Sequence, residues 1–156
     1  MGTFAISSAL GAAREVVWRH ATTPIGINSE LWPWLRMTLP RGVDDISIDN
    51  VPLGETIGRS WILLFGLVPV DYDDLKLEEL EEGRRFLERS KTSTMRVWQH
   101  ERRFIDRGSG CIVEDRLAFA PKWLLALVPG IETVTGAIVA AIFRHRHRRL
   151  KRLFGG

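Results

Sequence analysis

The segment that most constrains the fold is a mostly apolar stretch near the C-terminus, Trp123 to Phe143, which runs into a basic cluster. Pro129-Gly130 interrupts it, so a regular helix can begin only at about Ile131. From there to Phe143 an α-helix covers about 20 Å at ~1.5 Å per residue, which is less than the ~30 Å hydrocarbon core of a bilayer. We therefore predict a long amphipathic helix, from Ile131 to about Leu153, that packs on the rest of the protein. Its apolar positions form one expected core-facing stripe: Ile131, Val134, Ile138, Val139, Ile142, Phe143 and Leu150.

The region before this helix has the period of two that is typical of β-strands. Five strands are predicted there: Ile57–Leu67, Val70–Leu80, Arg84–Ser93, Thr94–Ile105 and Cys111–Ala120. The first of them is apolar on both faces and is therefore expected in the centre of the sheet. The acidic residues between Asp71 and Glu82 are expected on a solvated sheet edge, where charge discourages pairing with other chains.

The N-terminal third is predicted to contain a short strand, Phe4–Ser8, followed by two short helices. The first helix covers Ala12–Ala21 and ends before Pro24, because the residue before a proline avoids the helical region. The second begins near Ile27 with Asn28 as its N-cap. A loop follows from Pro40 to Gly54, with at most a short strand at Ile46–Ile48. Strands followed by one terminal helix favour an α+β fold in which a curved antiparallel sheet wraps around the long C-terminal helix.

Composition fits one globular domain over residues 1–156, with 45% hydrophobic and 26% charged residues. The net charge of +3 is concentrated in a basic helix end, residues 144–153. Because the rest of the chain is acidic, the basic pI predicts no nucleic-acid-binding face. We expect only a weak contact between Arg144–Arg152 and an anionic membrane. The oligomeric state is not specified by the sequence.

Little in the sequence indicates a cofactor, a metal or secretion. The four histidines lack metal-ligand spacing, and the single cysteine, Cys111, lies in an apolar strand where a small packed side chain is expected. Residues Met1–Leu10 lack the basic start of a signal peptide. We therefore expect no cofactor, no metal site and a cytoplasmic location.

Candidate site residues follow from the alternation of strand faces. On the last predicted strand Val113, Asp115 and Leu117 share a face, and on the strand before it Trp98 and His100 share the more aromatic face. A six-residue loop between these strands would place His100 opposite Asp115 and Trp98 opposite Leu117.

Two interpretations of His100 and Asp115 remain open. They are either a polar pair inside an apolar cavity, which orients a ligand or acts as general acid and base, or a buried structural pair whose hydrogen bonds are completed by Arg102. Glu88 shares a face with Phe86 and is either a third polar member of the cavity or exposed; we expect it to be exposed.

Several stretches are similar to the START-like superfamily (SRPBCC, the helix-grip fold). They are Arg84–Ser90, Trp98–Phe104, Gly110–Leu117, Phe143–Leu150 and the N-terminal Val17-Trp18. The long stretch from Ser60 to Leu80 departs from the shorter strands of that superfamily. The resemblance implies an apolar cavity between sheet and helix, as in bacterial ligand-binding members. The residues expected to line it are Trp61, Leu63, Phe65, Phe86, Trp98, His100, Val113, Asp115, Leu117 and Ile138.

Three functions are compatible with these patterns. The first is a carrier or sensor of a lipid, isoprenoid or polyketide-like metabolite, favoured because no nucleophile–base motif is visible. The second is a polyketide cyclase/dehydratase-like enzyme that uses the His100–Asp115 pair. The third is an interaction or peripheral-membrane module that docks through the basic helix end.

Overall fold

The computed structural model describes residues 1–40, 42–43 and 51–156. In chain order the elements are β1 Gly2–Leu10, α1 Arg14–Ala21, α2 Pro24–Leu31, β2 Leu35–Met37, β3 Thr56–Leu64, β4 Val68–Glu81, β5 Arg85–Thr92, β6 Met95–Arg107, β7 Gly110–Pro121, α3 Trp123–Ala126 and α4 Ile131–Phe154. The short strand predicted at Ile46–Ile48 lies outside the described residues.

The strands form one seven-stranded antiparallel sheet in the order β1-β7-β6-β5-β4-β3-β2. The sheet curls around α4, which packs mainly on β1 and also contacts α2 and β7. The predicted α+β helix-grip fold is therefore confirmed, including the two short helices after the first strand.

The predicted position of the first long strand is wrong. β3 lies next to the three-residue edge strand β2, and Trp61 is 43% exposed on the outer face, where its ring packs 5.5 Å from that of Tyr72. β4, in contrast, lies inside the sheet and buries Asp73, Leu75 and Leu77, so its acidic run is not an edge. Both errors arise because β3 carries exposed apolar residues whereas β4 carries a buried acid.

The β6–β7 hairpin turns more tightly than predicted. Arg107 pairs with Gly110, so only two residues form the loop, and Gly108 adopts the left-handed conformation (φ 57°) that such a turn needs. His100 therefore lies opposite Leu117, and Arg102 lies opposite Asp115. The predicted pairing is wrong by two residues, but a slip of two keeps every side chain on its predicted face.

Helix α4 buries a narrower stripe than predicted. Val139, Phe143 and Leu150 lie in the core, where Val139 and Phe143 pack with Leu117 and Phe119 of β7. Val134 and Ile138 belong to a neighbouring stripe, and Ile138 is 55% exposed. The two stripes are adjacent on a helical surface, so apolar periodicity alone did not separate them.

Helix α2 begins three residues earlier than predicted. Its N-cap is Thr23, whose hydroxyl accepts a hydrogen bond from the backbone N–H of Gly26 at 3.1 Å. Asn28 is not the cap; its amide bonds the backbone N–H and C=O of Met37 at 2.7 and 3.0 Å and so ties β2 to α2. A Cβ at Gly26 would lie 1.5 Å from the carbonyl oxygen of His20. This close approach sets the position of α2, and with it that of Glu30.

Candidate functional site

The interior between the sheet and α4 contains a network of buried charges centred on Asp115 of β7. Its carboxylate accepts four hydrogen bonds: from Nε and Nη2 of Arg102, both at 2.7 Å, from Nε2 of His100 at 2.7 Å, and from Nε2 of His147 at 2.9 Å. The other ring nitrogen of His147, Nδ1, is 2.8 Å from the hydroxyl of Ser8. His100 and Asp115 therefore meet as a diagonal pair across β6 and β7.

Glu30 of α2 extends this network to a third layer of the fold. Nη1 of Arg102 donates to both of its carboxylate oxygens, at 2.9 and 3.0 Å, and Nε of Arg146 on α4 donates to one of them at 2.8 Å. Glu30 and Arg102 are fully buried. The network thus joins the sheet, α2 and α4 through charge-assisted hydrogen bonds, which are the stronger kind.

The surroundings keep these groups charged. Burial alone would raise the pKa of Asp115, but the Arg102 guanidinium and the His100 imidazole outweigh it and hold that pKa well below its usual range. Burial likewise opposes ionisation of Glu30, yet Arg102 and Arg146 lower its pKa. Burial would lower the pKa of His100, whereas Asp115 and Glu88 raise it. The pKa values therefore favour an ionised network inside the protein.

Two further buried acids, Glu88 and Asp73, lie beside His100. Glu88 is only 7% exposed, so its predicted exposure is wrong; its Oε2 is 3.8 Å from Nδ1 of His100, and its Oε1 accepts a hydrogen bond from Ser90 at 2.8 Å. Burial and the neighbouring Glu88 carboxylate raise the pKa of Asp73 to about 10. Glu88 itself stays ionised, because His100 lowers its pKa against the effect of burial. Asp73 is thus a neutral acid at physiological pH.

Glu30, Asp115 and Glu88 each lie against basic side chains in this interior. Glu30 contacts Arg102 and Arg146, Asp115 contacts Arg102, His100 and His147, and Glu88 lies 3.8 Å from His100. Buried ions are tolerated when they are paired and hydrogen-bonded in this way. The side chains of His100 and Asp115 are 6% and 0% exposed, so a ligand reaches neither without a rearrangement. The geometry resembles a structural core more than an open catalytic site.

An apolar groove of about 410 Å³ opens beside this core, between α4, α2 and the β2–β3 edge. Trp34 forms one wall, with its ring 6.1 Å from Phe65 and 6.5 Å from the imidazole of His145. Nε2 of His145 donates to the carbonyl oxygen of Trp32 at 2.8 Å. The groove is lined by Leu31, Trp34, Leu35, Leu64, Ile138, Ala141, Ile142, His145 and Arg148. Its volume and mostly apolar lining are those of a small-molecule site.

Exposed apolar side chains also lie at the end of the sheet where β3 and β7 end and β4 begins. They come from the α2–β2 connection, from the β3–β4 turn and from α3 with the loop after it. The largest are Trp32, Trp34, Phe65, Leu67, Val68, Trp123, Leu124, Leu127 and Val128. Exposed apolar groups concentrated in one region mark an interaction or binding surface.

The residues predicted to line a cavity are dispersed. Ile138 is the member of that set that lines the groove. Five others are buried in the core or in the ionic network: Phe86, His100, Val113, Asp115 and Leu117. Trp98 and Leu63 are half-buried, whereas Trp61 and Phe65 are exposed.

Several buried polar residues were missed by the sequence analysis: Ser8, Glu30, Asp73, Arg146 and His147. Arg146 and His147 continue the spacing of Val139 and Phe143 along α4. Their burial could therefore have been predicted from the core-facing stripe. Glu30 carried no such signal, because α2 is only eight residues long.

Two further structural findings concern the described part of the chain. Within it, no group of three or more His, Cys, Asp or Glu side chains is placed to hold a metal ion. Among its helices, none combines the length and the apolarity needed to cross a membrane.

Nearly the whole chain, residues 8–154, matches a family model described as a domain of unknown function, DUF8410. The chain belongs to the DUF8410 family. No curated protein sequence matches it.

Solved structures similar to this DUF8410 protein share its fold at low sequence identity. Protein CV1439 from Chromobacterium violaceum has a TM-score of 0.73 at 14% identity, covering 99% of this chain and 97% of that one. A START superfamily protein from Mycobacterium smegmatis has a TM-score of 0.61 at 11% identity, covering 97% and 98%. DynU16, a protein of the dynemicin biosynthetic locus, has a TM-score of 0.59 at 11% identity, covering 98% of this chain and 48% of DynU16. The DUF8410 chain therefore has the START-like (SRPBCC) fold. Sequence identities this low show a shared fold and nothing about function.

Proposed function

We propose that this protein binds an apolar small molecule of the lipid, isoprenoid or polyketide-like class in the groove between α4, α2 and the β2–β3 edge. The observation that carries the proposal is the mostly apolar groove of about 410 Å³. Its position between sheet and terminal helix supports a binding role in a START-like fold. The exposed side chains of Trp34 and Phe65, whose rings are 6.1 Å apart, supply an apolar entrance.

A carrier or sensor role fits this geometry better than an enzymatic one. Asp115 accepts four hydrogen bonds from protein groups, and His100 is enclosed by the rings of Phe86 and Phe143 at 5.4 and 5.0 Å. A general acid or base must come within hydrogen-bonding reach of the reacting group. The predicted cyclase-like role of this pair would require the buried network to open.

The proposal is tested by displacement of the neutral fluorophore N-phenyl-1-naphthylamine, combined with native mass spectrometry of protein purified from its own host. Ile138→Arg places a long charged side chain in the groove and should weaken fluorophore binding at least tenfold, which corresponds to ~1.4 kcal/mol. Leu153→Arg is the matched control, because Leu153 lies on the same helix and is 51% exposed but does not line the groove. Equal binding by both variants, or no binding by the wild-type protein, would refute the proposal.

Contact of Arg144–Arg152 with an anionic membrane is a second proposal. It is supported by the exposure of Arg144, Arg148, Lys151 and Arg152 along α4, although Arg146 points into the network and bonds Glu30. Sedimentation with phosphatidylcholine vesicles containing phosphatidylglycerol should carry down the wild-type protein in low salt. Lys151→Glu should reduce this binding, whereas Arg116→Glu on the sheet should not. Equal sedimentation with vesicles of pure phosphatidylcholine would contradict the proposal.

A further inference from the structure

A second cavity, of about 320 Å³, lies on the sheet and shares no lining residue with the apolar groove. Its walls come from the start of β3 and from the strands β4, β5 and β6. Four basic side chains line it, together with the single carboxylate of Asp74: Lys76, Arg89, Lys91 and Arg96. The chemistry of this cavity therefore differs from that of the groove.

An interruption of the strand pairing opens this cavity in the sheet. The β4–β5 ladder breaks after the pair Asp74–Lys91, and the backbone N–H of Lys76 donates to the side-chain hydroxyl of Ser90 at 3.1 Å. Along β4 and β5 the basic residues alternate with buried ones. Successive side chains of a strand point to opposite faces, so Lys76, Arg89 and Lys91 lie together on the outer face of the sheet.

A β-bulge brings Arg96 of β6 to the same cavity. Its neighbours Met95 and Val97 pair with the consecutive residues Pro121 and Ala120, so Arg96 is the extra residue. Regular alternation would turn its side chain towards the interior, as it does for the buried positions further along β6. Arg96 is instead exposed and lines the cavity. Bulges commonly re-aim a side chain in this way beside a functional site.

Three of the four cations have no acidic partner. Nε of Arg89 donates to the neutral side-chain oxygen of Gln99 at 3.0 Å. Among the described residues, no carboxylate lies within 4 Å of the charged groups of Arg89, Lys91 or Arg96. Like charges on adjacent strands repel each other, so an anion bound between them would relieve this repulsion.

Two acids beside the cavity are already engaged by other residues or by the fourth cation. Asp74 accepts hydrogen bonds from Nε and Nη2 of Arg59 at 2.7 and 3.1 Å. Glu78 forms an ion pair with Lys76 at 2.8 Å. The cavity therefore keeps an excess of positive charge, although the chain outside the basic end of α4 is acidic.

The spread of the cations selects a ligand with more than one anionic group. They lie on three adjacent strands, which are ~4.8 Å apart, so their backbone positions span about 10 Å. Arginine binds phosphate through paired N–H groups, and lysine adds a compact positive charge. A single carboxylate or phosphate would leave part of this span unfilled, whereas a diphosphate can reach cations on all three strands.

We propose that this cavity binds a small soluble molecule that carries a diphosphate group, held by Arg89, Lys91 and Arg96 with Lys76 beside them. The proposal goes beyond the apolar ligand of the groove. Because the two sites share no lining residue, either can fail without the other.

Isothermal titration calorimetry with inorganic pyrophosphate in low salt tests this proposal. The wild-type protein should bind it saturably and about tenfold more tightly than orthophosphate, because more cations are engaged. Added salt should weaken the binding, since the cations are exposed. Arg96→Gln and Lys91→Gln should each weaken it about fivefold or more. Both side chains are exposed, so these variants should keep the wild-type melting temperature.

Two control variants place the binding site. Arg116→Gln is the matched control, because Arg116 is an exposed arginine of the same sheet that does not line the cavity. Lys151→Gln tests the basic end of α4. Both should keep the wild-type affinity for pyrophosphate. Equal loss of affinity in Lys151→Gln and Arg96→Gln would overturn the proposal, as would unchanged affinity in Arg96→Gln and Lys91→Gln.

The wild-type protein alone supplies two further decisive outcomes. Absence of saturable pyrophosphate binding in low salt, or equal affinity for orthophosphate, would overturn the diphosphate site. Sedimentation with phosphatidylglycerol vesicles separates a soluble ligand from a lipid headgroup. Arg96→Gln should leave this sedimentation unchanged, and a loss of it would show that the cavity takes a lipid phosphate instead.

Discussion

The buried network makes a strong prediction for Glu30→Gln. The carboxylate of Glu30 accepts two hydrogen bonds from Arg102 and one from Arg146. Glutamine keeps the shape but has only one oxygen, so its amide N–H₂ must face a guanidinium N–H in either orientation. The substitution also leaves two buried cations with one anion fewer.

The size of the effect follows from the burial of the pair. Glu30 and Arg102 are both 0% exposed, and removing one partner of a buried ion pair costs about 3–5 kcal/mol. Since a domain is stabilised by only about 5–15 kcal/mol, this is a large share of the total. With a urea m-value of ~2 kcal/mol/M, the midpoint of unfolding should fall by at least ~1.5 M while the m-value stays constant.

Urea denaturation followed by tryptophan fluorescence measures this shift. Glu15→Gln is the control, because Glu15 makes a 3.0 Å ion pair with Arg14 but its side chain is 62% exposed. An exposed pair contributes ~0–1 kcal/mol, so this variant should remain close to the wild type. If Glu30→Gln loses no more stability than Glu15→Gln, the network does not hold α2 and α4 to the sheet as described.

Three further predictions concern single positions. Folded Asp73 retains a proton that the unfolded chain loses above pH ~4, so the unfolding free energy should fall with rising pH by at most ~1.4 kcal/mol per pH unit. Asp73→Asn should remove this part of the slope when the unfolding free energy is measured by urea titration between about pH 5 and 9. The same slope in Asp73→Asn and the wild type would be contrary evidence. Gly26→Ala should lower the melting temperature, because the new Cβ would collide with the His20 carbonyl. Gly136→Ala in α4 should preserve or raise it, because the nearest atom to a Cβ there is 4.0 Å away. Calorimetric shifts of equal sign for the two variants would count against this packing. Burial raises the pKa of the Cys111 thiol, so Ellman's reagent should label it only after unfolding, and rapid labelling of the native protein would show that β7 is less closed than described.

Local periodicity was sufficient to predict most of the architecture. The four long strands β4 to β7 and the helix α4 fall close to their predicted bounds, because each has Gly or Pro next to at least one of its ends. The inward faces of β6 and β7 were also predictable, since the pairing error was an even number of residues. The side chains of His100 and Asp115 consequently both face the interior of the fold, although the predicted loop length is wrong.

The ionic network and the groove depended on contacts that are distant in sequence. Glu30 and Arg102 are 72 residues apart, and nothing in the eight residues of α2 distinguishes a buried glutamate from a solvated one. Glu88 was expected to be exposed for the same reason, since charged residues are rarely buried unless paired. The groove arises where α4 diverges from the β2–β3 edge. There Ile138, whose spacing is that of a core residue, is left half-exposed.

Methyl NMR of the protein titrated with 1-octanol tests the central claim of an apolar binding groove most directly. We predict saturable shifts of the methyl groups of Leu35, Leu64 and Ile138, which line the groove, with unchanged signals from Leu153 and from Ile105 at the far end of the sheet. Saturable shifts confined to residues outside the groove, or no saturable shift at all, would contradict it.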